Sequence, residues 1–151
     1  MIRFLVLTLL LMVLGVVGLS LYVRYAPVDP ADWNVAVATT DAASAGPCTD
    51  KISLVPQGAR VTCLVPGTPA EVLTKLDAIA LAGPRTLKLV ATDSLVTWES
   101  RSQLMGFPDY ITAELATAAG GTRLDILSRQ RFGGGDMGVN AARLKAWLAQ
   151  L

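Results

Sequence analysis

The sequence has no histidine, only two cysteines, and three residues each of tryptophan, tyrosine and phenylalanine in 151 positions. Without histidine, no Ser-His or Cys-His nucleophile can be assembled. Two cysteines with no histidine to join them do not make a zinc site, so neither a metal nor another cofactor is expected. Charge is also sparse and balanced: thirteen basic against twelve acidic residues leave a net charge of +1. That excludes the broad basic field of a nucleic-acid binder. Lysine and arginine are missing altogether from Ala26 to Pro47, and no internal repeat or interpretable low-complexity tract occurs.

What is present begins with Phe4 to Val23, twenty residues without a charge and with little polar beyond Thr8, Ser20 and Tyr22. At about 1.5 Å per residue this run covers roughly 30 Å, the thickness of a bilayer's hydrocarbon core, and predicts a transmembrane anchor over residues 1–25. The rival is a cleaved secretory signal. A signal's apolar region is shorter and ends at an A-x-A-like site, whereas here the run continues to Tyr22-Val23-Arg24-Tyr25, with Gly18-Leu19-Ser20 the one small-x-small candidate. No cysteine follows the run for lipoprotein processing. Arg3 and the free amino group before the span, with Asp29 and Asp32 after Arg24, favour an N-terminus inside. The remainder is then expected outside the cytoplasm, as a single-pass protein of a bacterial inner membrane with its C-terminal domain in the periplasm. There Cys48 and Cys63 would close a disulfide loop of about 15 residues, contributing on the order of 3 kcal/mol; the alternative is two unrelated buried thiols.

Residues 26–47, with three prolines and three aspartates, are expected to be a solvated linker holding at most one short strand, Asn34 to Thr39. Residues 48–151 suffice for one compact core. Thr68 and Glu71 form a capping-box pattern ahead of a helix from Pro69 to Ala82, stopped by Gly83 and Pro84, with Val72, Leu73, Leu76, Ile79 and Ala80 on one face. Strand-like runs follow at Thr86–Ala91, Leu95–Ser102, Tyr110–Thr117 and Thr122–Phe132. Asp93-Ser94 and Gly120-Gly121 are hairpin-type connections, and Met105 to Asp109 is a wider corner. Helical periodicity returns over Asn140–Leu151. The pattern predicts an α+β fold, an N-terminal transmembrane helix followed by a small antiparallel sheet with two helices packed on one face. Lys88, Glu99, Arg101, Glu114, Arg123, Asp125, Arg129 and Arg131 are expected to share the other face, as self-paired solvated ions or as a binding surface.

Gly133 to Gly138 satisfies G-x-G-x-x-G, but no parallel strand with an acidic residue follows, so a dinucleotide site is rejected. Two readings stay open for this loop. Its backbone N–H groups, with Arg129, Arg131 and Arg143 nearby, could hold a carboxylate or phosphate; or it is a turn in which Asp136 or Asn140 caps the last helix.

The run from Ser128 to Arg143 resembles the C-terminal signature of the domain of unknown function 1499 family, S-x-S-R-x-G-x-S-D-x-G-x-N-x-x-R. Ser128, Arg131, Gly133, Asp136, Gly138, Asn140 and Arg143 match it; Glu99, Phe107 and Asp109 resemble an upstream block. The resemblance covers roughly Leu95 to Leu148. Gln130 and Gly135 replace serines, Leu127 stands where arginine is frequent, and Tyr110 replaces a second aspartate. The family implies no known reaction.

Two functions of different class follow. The first is a non-catalytic, membrane-anchored accessory or assembly subunit of a larger inner-membrane complex, with Gly15 and Gly18 allowing close helix contact. The alternative is a periplasmic binding module in which Arg129, Arg131, Asp136, Asn140 and Arg143 hold an anionic lipid head group or small metabolite. A carboxylate pair from Glu99, Asp109 and Asp136 could do acid–base work in principle, but acidic residues beside arginines are more often structural, and no enzyme is expected.

Overall fold

The computed structural model describes residues 1–151 apart from 38 and 40. The first helix, α1 (Ile2–Tyr25), is long and apolar enough to cross a membrane: its most apolar 18 residues have a mean hydropathy of 2.8, and none of that stretch is buried by the rest of the chain. An unburied apolar helix is not the core helix of a globular domain. Only its last turns touch the domain, where Val23 is 1% exposed.

Six antiparallel strands form one sheet: β1 (Ser53–Val55), β2 (Gly58–Val65), β3 (Thr86–Ala91), β4 (Leu95–Arg101), β5 (Pro108–Ala118) and β6 (Gly121–Gln130), in the order β1-β2-β6-β5-β4-β3. Helix α2 (Pro69–Ala82) links β2 to β3 and α3 (Val139–Leu148) follows β6. The four expected strands and both helices are present within two or three residues of their expected ends. The first hairpin was not anticipated, because its turn, Pro56-Gln57, carries no glycine; Gln57 itself takes the left-handed conformation, φ 65°. Gly58 follows because the strand lies so close to β6 that a Cβ there would sit 2.1 Å from the Ser128 carbonyl oxygen.

Strand alternation sends one set of side chains to the helices. Ala59, Val61 and Cys63 of β2, Leu124 and Ile126 of β6, Ile111 and Ala113 of β5, and Val96 and Trp98 of β4 are all buried there with Val72, Leu76, Ala80, Leu144 and Trp147. Burying one such leucine contributes about 2 kcal/mol. Trp98 packs edge-on to Trp147 and donates from Nε1 to Asp77 at 2.9 Å. The capping box forms as expected: Glu71 accepts from the Thr68 backbone N–H at 2.8 Å, and Thr68 Oγ1 accepts from the Glu71 N–H. Cys63 is bonded to Cys48, in the 3-10 turn Cys48–Lys51, as a disulfide.

Lys88 does not lie on the expected face. It pairs in register with Trp98 and reaches Asp77 at 2.8 Å on the helix side, while a bulge between Lys88 and Val90 shifts the register of β3. Residues 26–37 are not a free spacer: they lie along the sheet face opposite the helices. Asn34 to Val37 and Thr39 form no strand, and position 38 of the expected Asn34–Thr39 strand lies outside the described residues.

Candidate functional site

The expected site residues separate into two groups, one on each face of the sheet. Residues two apart on a strand share a face, so Ser128 and Gln130 point toward the helices while Arg129 and Arg131 point away.

On the helix side, Asp136, Asn140 and Arg143 meet Ser128 and Asp109. Asp136 accepts from the backbone N–H of Gly138 at 3.1 Å and of Asn140 at 2.9 Å, capping the start of α3. Burial works against its charge, but those backbone donors outweigh it and hold the carboxyl below its ordinary range. Asn140, fully buried, accepts through Oδ1 from the Ser128 hydroxyl and from Arg143 Nη1 at 2.6 Å. Arg143 Nη2 donates to Asp109 at 2.8 Å. Burial nevertheless dominates at Asp109 and raises its carboxyl above the usual value, with the Asp136 charge adding to the rise. Most polar groups of this corner are partnered, but the buried Nδ2 of Asn140 finds no acceptor among the described residues. The N–H groups of Gly138, Val139 and Asn140 are already taken by Asp136, so the structure shows the capping arrangement at the glycine-rich loop.

On the opposite face, Glu99, Arg101, Glu114, Arg123, Asp125, Arg129 and Arg131 lie together as expected. Most are paired: Arg101 with Glu99, and Arg123 with Asp125 at 2.6 Å, where Thr62 also donates at 2.6 Å. Glu114 accepts the Val37 backbone N–H at 2.9 Å. Over this face runs the segment after α1. The Trp33 indole stacks on Tyr110 with centroids 4.0 Å apart, and its carbonyl accepts from Thr112 Oγ1 at 2.8 Å and Arg129 Nη2 at 2.7 Å. Arg131 donates to the Ala26 and Pro27 carbonyls, the latter at 2.6 Å.

Between Trp33, the β1–β2 hairpin and β6 lies a cleft of about 470 Å³ that holds Arg60, Arg129 and Arg131 together with Asp32. Each guanidinium carries five N–H groups. Arg60 uses one on Asp41 at 2.9 Å, Arg129 one on Trp33 and Arg131 two on the chain after α1. The Nε atoms of Arg60 and Arg129 are buried and find no acceptor among the described residues. Arg129 has no carboxylate partner among them either. Its guanidinium lies 5.0 Å from the centroid of the Trp33 ring, and burial lowers its affinity for the proton.

The structure therefore brings Arg129 and Arg131 together but sets Arg143, Asp136 and Asn140 apart from them. Glu99 is likewise on the other face from Asp109 and Asp136, so the three carboxylates form no common site. Arg60 and Trp33 were missed. A lone tryptophan in an otherwise small and acidic stretch was the available signal for Trp33, since a solvated spacer has no use for so large an apolar surface.

Comparison with curated proteins yields no match. The sequence profile of a family described as "Protein of unknown function (DUF1499)" matches residues 29–151, a stretch that starts before Trp33 and takes in most of the covering segment, both faces of the sheet and the Asp136 corner. With four-fifths of its length matched, the chain belongs to the DUF1499 family.

Proposed function

We propose that this protein is a single-span, membrane-anchored binding module of the bacterial cell envelope that takes an anionic group, carboxylate or phosphate, in the cleft of Arg60, Arg129 and Arg131. The observation that carries the reading is Arg129, a cation withdrawn from water without a carboxylate partner among the described residues. Burying a charge unpaired is costly, and an anion arriving in the cleft would both repay that cost and meet unused, forked donors. Asp32 and Asp41 offset part of the three positive charges, which favours a small monoanion or dianion over a polyanion. The disulfide supports an oxidising compartment, hence a domain outside the cytoplasm with α1 as its anchor. The protein carries out no catalysis in this reading.

The test uses the full chain in nanodiscs. Inorganic phosphate titrated into discs of phosphatidylcholine is expected to raise the unfolding temperature by mass action, and an Arg60→Ala/Arg129→Ala double variant is expected not to respond. A response that requires phosphatidylglycerol in the disc, with none to free phosphate, identifies a lipid head group as the source of the anion. If neither responds and a large membrane complex copurifies stoichiometrically with the native protein, the binding reading fails and the accessory-subunit one takes its place.

A further inference from the structure

The connection between β4 and β5, residues 102–107 (Ser-Gln-Leu-Met-Gly-Phe), carries no charge, and its tip residue Leu104 is 86% exposed. Four of its six carbonyls meet protein donors, while the backbone N–H groups of Gln103 to Gly106 have no protein partner among the described residues. The Leu104 carbonyl accepts from Arg24 Nη2 at 3.0 Å, Met105 from Ser20 Oγ at 3.5 Å, Gly106 from Arg101 Nη1 at 3.1 Å and Phe107 from the Ser102 backbone N–H at 2.9 Å. The Phe107 N–H in turn donates to Ser102 Oγ at 3.0 Å. A loop in water needs none of this, because solvent serves its carbonyls. The unpaired N–H groups keep this irregular backbone out of the hydrocarbon, so its level is the wet interface, from which only side chains reach the acyl boundary.

Depth is set by the same contacts. Ser20 precedes Val23, the last residue of the apolar run, by three positions, or about 4.5 Å along the helix axis. Met105, whose carbonyl accepts from Ser20, therefore sits at the hydrocarbon edge if Phe4–Val23 spans the core. Gly106 fixes the approach: a Cβ there would lie 2.9 Å from Arg24 Cγ, and its φ is 74°. Around the contact Tyr22 meets Phe132 edge-on at 6.0 Å and Phe132 meets Phe107 at 6.4 Å, an aromatic group at the level where an interfacial belt forms. Arg24 and Arg85, both in the groove beside the loop, lie where lipid phosphates would be.

We infer that residues 102–107 are an interfacial loop, with the side chains of Leu104 and Met105 at the acyl boundary of the leaflet from which α1 emerges, so that the domain is seated on the bilayer rather than suspended above it. The inference rests on the single-span reading of α1 and is independent of the anion cleft. The full chain is placed in nanodiscs whose phospholipid carries a photoreactive diazirine on its acyl chain, and the labelled peptides are mapped by mass spectrometry. Labelling of α1 and of Leu104 or Met105, with none at the Asp93-Ser94 turn on the far end of the sheet, is the expected result. Labelling of α1 without the loop overturns the inference and leaves the anchor intact; labelling of neither removes both. Leu104→Asp, at a side chain the protein does not cover, is expected to lower labelling of Met105 several-fold while the domain's unfolding temperature in detergent is unchanged. Undiminished labelling in that variant also overturns the inference.

Discussion

The two faces of the sheet use arginine in opposite ways. On the helix face, Arg143 is held by Asp109 and Asn140 in a paired network in which the charge has a counter-charge at 2.8 Å. On the other face, Arg129 is covered by Trp33 and given only a carbonyl and an aromatic ring. A paired network resists change, whereas an unpaired cation tolerates it; each side keeps a cavity, of about 290 Å³ beside Asp109 and Asp136 and of about 470 Å³ beside Arg129. The glycine-rich signature loop, the obvious functional feature of the sequence, lies on the paired side and lines the smaller of these two cavities.

The largest effect should come from breaking the paired side. Arg143→Ala leaves Asp109 buried without its partner and is expected to destabilise by about 3 kcal/mol or more, read from denaturant unfolding of the full chain in detergent. A loss under 1 kcal/mol would mean that the pair does not hold the corner. Cys48→Ser/Cys63→Ser, on the same face, should cost about 3 kcal/mol, as should reduction of the native protein, with the variant then insensitive to reductant.

Trp33→Ala attacks the cover of the other face. An expected loss of about 2 kcal/mol, together with faster proteolysis within residues 26–47, would show that the segment is part of the domain. Unchanged proteolysis would restore the free spacer. Arg129→Ala sharpens the contrast most directly, since it removes an unpaired cation: stability should move by less than about 1 kcal/mol, yet the response to inorganic phosphate should disappear.

The smallest effect is in pH dependence. Asp136 has a lowered pKa in the folded state, so its stabilisation is present above the ordinary value of 3.8 and is lost as pH falls through the lower folded value. Asp109 has a raised one, so its contribution is complete below 3.8 and is lost as pH rises through the higher folded value. Asp136→Asn should flatten the stability profile on the acid side of 3.8 and Asp109→Asn on the other side, measured by unfolding between pH 2 and 7. Identical profiles for the two variants would contradict the assignment.

Much of the scaffold was legible because it rests on local rules. Thr68, Glu71 and Pro69 announce α2 within four residues, and the alternations around Ile111 and Leu124 announce β5 and β6. The β1–β2 hairpin was illegible because Pro56-Gln57 lacks the usual glycine, and β3 was assigned the wrong face because its start sets Leu87, not Lys88, outward opposite Glu99, before the bulge that follows Lys88. The site was legible in residue type and not in grouping. Arg129 and Arg131 stand close to Arg143 in sequence, but the direction of a side chain on β6 depends on odd or even position, and that parity set them on different faces.

By itself the sequence determined the apolar span, the α+β class, the cap of α2 and the absence of histidine chemistry, all properties of composition or of neighbours a few residues apart. Only the tertiary structure decided that residues 26–37 cover the sheet, that Arg60 joins Arg129 and Arg131, and that the 102–107 loop meets the end of α1. Those contacts join residues separated by 63 to 105 positions, such as Asn34 with Thr97 and Ala26 with Arg131. No periodicity or motif encodes such pairings, because they depend on strand order, which local sequence does not specify.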